Sequence, residues 1–166
     1  MMSLLAGVKK CQCTTNEPVL SRFDFNQECL KRDNNKCVIC SANINLAVHH
    51  IIERRVFPSC NGYHKSNGVS VCEPCHLLAE MTVVSCEELR QAAGIEEVIL
   101  PEHYYHDHTY TKWGDVILED GRRTPGPYFY DESVQKILKK GGVLDKYVHY
   151  YKYPRSYWLL LSSMIL

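Results

Sequence analysis

The 166-residue sequence has no net charge, because nineteen Lys and Arg balance nineteen Asp and Glu. A chain without a polyelectrolyte bias is not drawn as a whole to nucleic acid or to an anionic membrane surface. No stretch approaches the ~18 apolar residues of a membrane span. The apolar YWLLLSSMIL at the end is too short for one, and reads as a strand or tail packed on the core. The opening MMSLLAGVKK lacks the long apolar run and cleavage site of a signal peptide, so a cytoplasmic, reducing compartment is expected. Internal repeats and low-complexity segments are also absent. The length suits one domain, or one domain with an appendage, with a core of useful size.

The charge that is present is unevenly spread. Nine Lys and Arg face five acids between Lys9 and Lys65, whereas six Glu and one Arg lie between Glu73 and Glu97. A local basic field could face a phosphate backbone, although a solvated surface explains any single residue as well. Nine cysteines is an odd number, and in a reducing compartment closely paired cysteines read as metal ligands before disulfides. Cys37-x-x-Cys40 and Cys72-x-x-Cys75 each present two thiolates to one tetrahedral ion, the pattern of a structural zinc site. Four protein thiolates leave no open position, so such a zinc holds structure and does no chemistry. Cys11, Cys13, Cys29, Cys60 and Cys86 read as free thiols.

SRFDFNQECLKRDNN predicts a short helix with Phe23, Phe25, Cys29 and Leu30 on one face and Asp33-Asn34-Asn35 as its stop. LAVHHII and VSV predict two strands joined by the Pro-, Gly- and Asn-rich loop FPSCNGYHKSNG. CEPCHLLAEM predicts a helix giving Leu77, Leu78 and Met81 to the core. SCEELRQAAG predicts another, with Ser85 and Glu88 as a capping box and Gly94 as the stop. Beyond it, IEEVILP reads as a strand, and KWGDVILEDGRR as a hairpin turning at Asp120-Gly121. YDESVQKILKK reads as a helix with Val134, Ile137 and Leu138 inward, and VLDKYVHYYKYP as one more, stopped by Pro154.

His49 and His50 are neighbours on a presumed strand, so their side chains point to opposite sides and do not share one task. His76 follows Cys75 at the start of a helix, and closure of the two cysteine pairs brings that helix start beside the VHHI strand. A metal between one of the pair and His76 leaves the other histidine as a base. The run CVIC…HHI…N…VCEPCH, from about Asn26 to Glu80, resembles the HNH endonucleases of the zinc-knuckle subgroup.

That resemblance implies an α+β fold: a ββα-metal motif stapled by the four-cysteine zinc site, with a mixed α/β C-terminal extension. It implies His49 and His76 as ligands of a catalytic divalent ion (Mg2+, Mn2+ or similar), His50 as general base and Asn67 as the residue that orients the base and braces the loop. Asn61 is a rival for the asparagine role, because the chain reads HHIIERR where the family often has a proline, and the loop from Glu53 to Ser66 aligns least securely. Arg54, Arg55 and Lys65 are candidate phosphate contacts. A cluster in EHYYHDHTY (His103, His106, Asp107, His108) reads mainly as a loop, and the Tyr-rich KYVHYYKYPRSYW as aromatic packing before base stacking.

The expected organisation is an N-terminal arm (1–21), an HNH nuclease domain (22–94) and a C-terminal extension (95–166). The expected activity is hydrolysis of phosphodiester bonds in double-stranded DNA, by a protein acting as a homodimer or as an accessory to a larger nucleic-acid-processing assembly. The alternative is a non-catalytic zinc-ribbon module that binds nucleic acid or protein, in which the cysteines matter and the three histidines can be changed freely.

Overall fold

The computed structural model describes residues 17–148. Among them, four α-helices and two small antiparallel sheets give a mixed α/β architecture. Helix α1 (Arg22–Arg32) starts at Ser21, whose hydroxyl accepts the Asp24 N–H at 3.1 Å, and ends at Asp33 before two left-handed residues, Asn34 and Asn35. Phe25 and Cys29 are buried, but Phe23 is 71 % exposed. Two residues apart on a 3.6-residue helix means about 200° apart, so Phe23 and Phe25 cannot share a face.

Strands β1 (Leu46–His50) and β2 (Gly68–Cys72) pair antiparallel, with His49 opposite Val69 and His50 opposite Gly68. The outer edge of β2 is closed by the end of α1 and the chain after it. Asp33 accepts the Ser70 N–H at 2.7 Å, Arg32 donates to the Gly68 carbonyl at 2.6 Å, and the Val38 N–H donates to Ser70 O at 2.9 Å. A two-stranded sheet with an open edge is marginal in water, so this cover is part of what lets the hairpin stand. Helix α2 (Glu73–Glu80) follows β2 with no intervening residue. Its core face is Cys75 and Ala79, one helical turn apart, with Met81 beyond; Leu77 and Leu78 turn outward at 39 % and 37 % exposure. The cysteine ligand position sets the rotation of this helix, and its leucines do not. Helix α3 (Cys86–Ala92) carries both bonds of the Ser85–Glu88 capping box, and Gly94 takes φ +63° just past its end.

IEEVILP forms no strand. Ile99 and Leu100 are buried side-chain first, without a neighbouring strand edge to take their backbone groups into a ladder. Strands β3 (Thr109–Tyr110), β4 (Val116–Ile117) and β5 (Arg123–Thr124) form a meander, with Gly121 at φ +80° in the expected turn. Helix α4 (Glu132–Lys140) is capped by Asp131 and buries Val134 and Leu138. The helix expected over VLDKYVHYYKYP reduces to a 3-10 turn, Leu144–Lys146, after which Tyr147 bridges to Arg123 in parallel. The rest of that segment, the terminal YWLLLSSMIL, and Cys11 and Cys13 lie outside the described residues. No helix among the described residues is long and apolar enough to cross a membrane.

Two apolar clusters hold these elements. The first gathers Ile51, Ile52, Phe57, Val69, Val71, Ala79 and Leu89, and it continues into Ile99, Leu100 and Tyr110. The second centres on Trp113, Phe129, Val134 and Leu138. Arg123 joins the parts, donating to the hydroxyl and the carbonyl of Thr82 in the turn between α2 and α3.

At Gly68 the backbone is extended, but a Cβ would strike the Phe25 ring and come within 2.7 Å of Cys29 Sγ. Gly68→Ala should therefore cost about 1–3 kcal/mol of unfolding free energy through overpacking of α1 on β2. Urea denaturation of the variant checks this.

Candidate metal centre and cleft

Cys37 and Cys40 sit on the turn between α1 and β1. Cys72 ends β2, and Cys75 lies in the first turn of α2. Their four Sγ atoms lie within 4.8 Å of one another, with Cys40 and Cys72 at 3.5 Å. Tetrahedral zinc with Zn–S of about 2.3 Å separates its sulfurs by ~3.8 Å, so the cluster could hold a zinc ion with little adjustment. Burial pushes the Cys37 thiol up, but the N–H groups of Cys72, Cys40 and Ile39 outweigh it and bring the pKa down to about 7. Burial and the neighbouring thiols push Cys75 up, so the four sulfurs are not alike in the absence of a metal.

The hairpin twists its two histidines apart as the strand period requires. His49 is buried and faces α2, where its ring lies 4.9 Å from that of His76. His50 faces α1, stacked on Phe25 at 4.6 Å with the edge of Tyr63 at 5.2 Å. Both open onto one cleft of about 570 Å³, lined also by Glu53, Arg54, His76, Glu80 and Lys112. Between His49 and α2 sits a residue that motif spacing did not single out. Glu80 Oε1 lies 3.3 Å from His49 Nδ1, 3.3 Å from His76 Nε2 and 3.2 Å from Lys112 Nζ. His49, His76 and Glu80 form a three-residue set that could hold a metal ion. The signal for Glu80 was present: His76 and Glu80 are four apart on a helix that was itself expected, and so share a face.

Burial and the Lys112 charge set the protonation of the cleft histidines. Burial and the Lys112 charge depress His49 to about 3 against the opposing pull of Glu80, and burial and Lys112 depress His50 to about 4 against Glu53. Both imidazoles are neutral near pH 7, the form that binds a metal or takes a proton. Burial pushes Glu80 up, but His49, His76 and Lys112 together hold it far below the usual carboxylate range. The Nε2 of His50 is buried without a hydrogen-bond partner among the described residues.

Asn67 is buried at the end of the loop. Its side chain accepts the Ile52 N–H at 2.9 Å and donates to Ile52 O and Gly62 O at 3.1 Å each. It thus ties the loop to the chain leaving β1, whereas Asn61 is exposed at a left-handed turn position. Of the three basic candidates, only Arg54 borders the cleft. Arg55 is engaged with Glu53 at 3.0 Å and Asp131 at 3.5 Å, and lies 4.6 Å over the Tyr128 ring; Lys65 pairs with Glu28 at 3.2 Å beside a separate hollow. His103, His106, Asp107 and His108 are exposed and gather into no metal-holding set among the described residues.

A further cation that lines the cleft, beside Arg54, is Lys112, from the segment after residue 94. It is only 4 % exposed, donates to His50 O at 3.1 Å, and lies 3.4 Å from Glu53 and 3.2 Å from Glu80. Its neighbour Trp113 donates to Glu80 O at 2.9 Å, and Lys112 O accepts the Glu53 N–H at 2.9 Å, so this short loop is pinned to both walls. A lone lysine in TKWGD has no ligand spacing and reads as a solvated charge, which is why sequence reasoning passed over it.

Cys72→Ser should lose the zinc expected in the four-thiolate cluster and unfold the hairpin–α2 junction; elemental analysis with circular dichroism measures both. Lys112→Met should destabilise the metal-free protein by roughly 3 kcal/mol, since it leaves the largely buried Glu80 carboxylate without its ammonium partner, whereas Glu53 keeps Arg55. Added Mn2+ should restore part of that loss in a thermal melt, because a cation at Glu80 takes over the neutralisation.

The chain matches no family model, no curated protein and no solved structure, so what the cleft does must be argued from its own residues.

Proposed function

We propose that this protein is a metal-dependent endonuclease of the HNH type that hydrolyses DNA phosphodiester bonds, leaving 5′-phosphate and 3′-hydroxyl ends. The observation that carries this reading is the placing of a neutral, partly buried histidine, His50, on the same cleft as a His49–His76–Glu80 donor set, with a four-cysteine cluster at the junction that positions them. In this reading the hairpin of β1 and β2 with α2 is a ββα-metal unit. Two imidazoles and a carboxylate suit a divalent ion of the Mg2+, Mn2+ or Zn2+ class and leave positions open. Such an ion, when bound, supplies charge stabilisation for the phosphoryl oxygens and the departing 3′ oxygen.

The protein's own residues do the rest. His50 takes the proton of the attacking water, its ring held by Phe25 and Tyr63. Asn67 fixes the backbone that follows His50 and the loop that carries Tyr63. Arg54, exposed at the rim, meets the phosphate backbone. One such cleft cuts one strand, and a double-strand break requires two copies or two visits.

His50→Ala should leave fold, zinc content and DNA affinity near the parental values and lower single-turnover cleavage by roughly 10²–10⁴-fold. His76→Ala and Glu80→Ala should abolish cleavage and weaken Mn2+ binding while the zinc stays bound. A supercoiled-plasmid assay with Mg2+, Mn2+ and EDTA arms reads both. If all three variants cut as the parent does, or the parent never cuts, the chain is the non-catalytic zinc-ribbon binder, for which the cysteines alone suffice.

A further inference from the structure

Two cations have a claim on one oxygen of Glu80. Oε1 lies 3.3 Å from both His49 Nδ1 and His76 Nε2, and the same atom lies 3.2 Å from Lys112 Nζ. A divalent ion held by His49, His76 and Glu80 therefore competes with the Lys112 ammonium for the only carboxylate of the set.

Lys112 has little room to withdraw from an arriving ion. Its side chain is buried, its carbonyl accepts the Glu53 N–H at 2.9 Å, the indole of Trp113 donates to Glu80 O, and the Trp113 ring lies 5.1 Å from Nζ. Within that cage the ammonium has other acceptors. His50 O at 3.1 Å and Glu53 Oε2 at 3.4 Å can take it up without a shift of the backbone. The ammonium thus yields Oε1 and stays close to whatever takes its place.

Charge then decides what the centre accepts. Lys112 already neutralises Glu80, and the second carboxylate beside it, Glu53, is shared with Arg55 at 3.0 Å. A divalent ion adds two positive charges within a few ångströms of a buried third, which water screens poorly. The loaded centre is short of negative charge, and the chain has none left to give it. An anion can enter from the cleft, where Arg22 and Arg54 stand on the walls with His50 and Lys112. A phosphodiester brings one negative charge on non-bridging oxygens that suit the open positions of the ion.

We propose that Lys112 is a built-in competitor of the metal: its ammonium holds the oxygen of Glu80 that the divalent ion needs, and keeps affinity for that ion low until a DNA phosphodiester enters the cleft. Ion and substrate then load together, each raising the affinity for the other by the same factor. The identity of the anion rests on the nuclease reading, whereas the competition rests on the geometry around Glu80.

The test is Mn2+ affinity of the full chain, read from the electron paramagnetic resonance of free Mn2+. Without DNA, Lys112→Gln and Lys112→Met should bind Mn2+ roughly tenfold more tightly than the parent, the scale of removing a like charge at close range. A short DNA duplex, added in the His50→Ala background to keep it intact, should tighten Mn2+ binding while Lys112 is present and do so less in combination with Lys112→Gln. If circular dichroism shows both Lys112 variants unfolded, the duplex effect with Lys112 present decides. Equal or weaker Mn2+ binding by folded Lys112→Gln overturns the proposal, as does Mn2+ affinity that ignores the duplex while Lys112 is present. Plasmid cleavage reads the nuclease separately: a parent that never cuts, with tighter Mn2+ binding in Lys112→Gln, upholds the competition and removes the nuclease, and a parent that cuts with no such tightening does the reverse.

Discussion

The angle between β2 and α2 decides whether this cleft exists. Cys72 is both the last residue of β2 and the residue that precedes the first turn of α2, and Cys75 lies within that turn. Drawing their thiolates toward Cys37 and Cys40 orients the helix without help from a long hydrophobic face, which α2 does not possess, as its outward leucines show. Once that orientation is set, His76 and Glu80 fall one turn apart opposite His49, and the donor set is complete. Remove the cysteine constraint and an eight-residue helix on a hairpin of two five-residue strands has too little buried surface to hold the same pose.

A second layer of constraint comes from buried polar groups, each with a definite partner. Asn67 closes on three backbone groups, Asp33 on the free edge of β2, and Asp115 on Thr111, Gly126 and Tyr147 at 2.7 Å each. Such groups cost more when left unmade than they gain when made, so they select one arrangement among many of similar packing. Glu80 belongs to the same class but differs in kind. One carboxylate oxygen faces two imidazoles and an ammonium, and a bound cation would redistribute those contacts without moving the backbone.

How much of this was legible in the sequence follows from the range of the signals. The two cysteine pairs, the His-His pair on a β-branched run and the Ser85–Glu88 cap are local patterns, and the hairpin, the four-thiolate cluster and α3 are where those patterns place them. Strand IEEVILP failed because its composition suits a strand while nothing in sequence says whether an edge awaits it; Ile99 and Leu100 went to the core instead. Hydrophobicity alone points Phe23, Leu77 and Leu78 inward; helical phase relative to Phe25 and Cys75 puts Phe23 and Leu77 outside, and Leu78 is exposed although it lies three residues from Cys75. Glu80 was within reach of an i, i+4 argument. Lys112 was not, because it meets His50 across sixty-two residues of chain and no short-range pattern encodes that contact.

That separation has a consequence for the life of the chain on the ribosome. Synthesis delivers the cysteines and most of the histidines first and the lysine afterwards, so a nascent polypeptide that has not yet reached Lys112 lacks the ammonium that lies against Glu53 and Glu80. The fold as described cannot close over its own centre until Trp113 has seated against the end of α2. Maturation of the cleft is thereby timed by chain elongation, and a fragment ending near Gly94 would hold the ligands without the element that completes their surroundings.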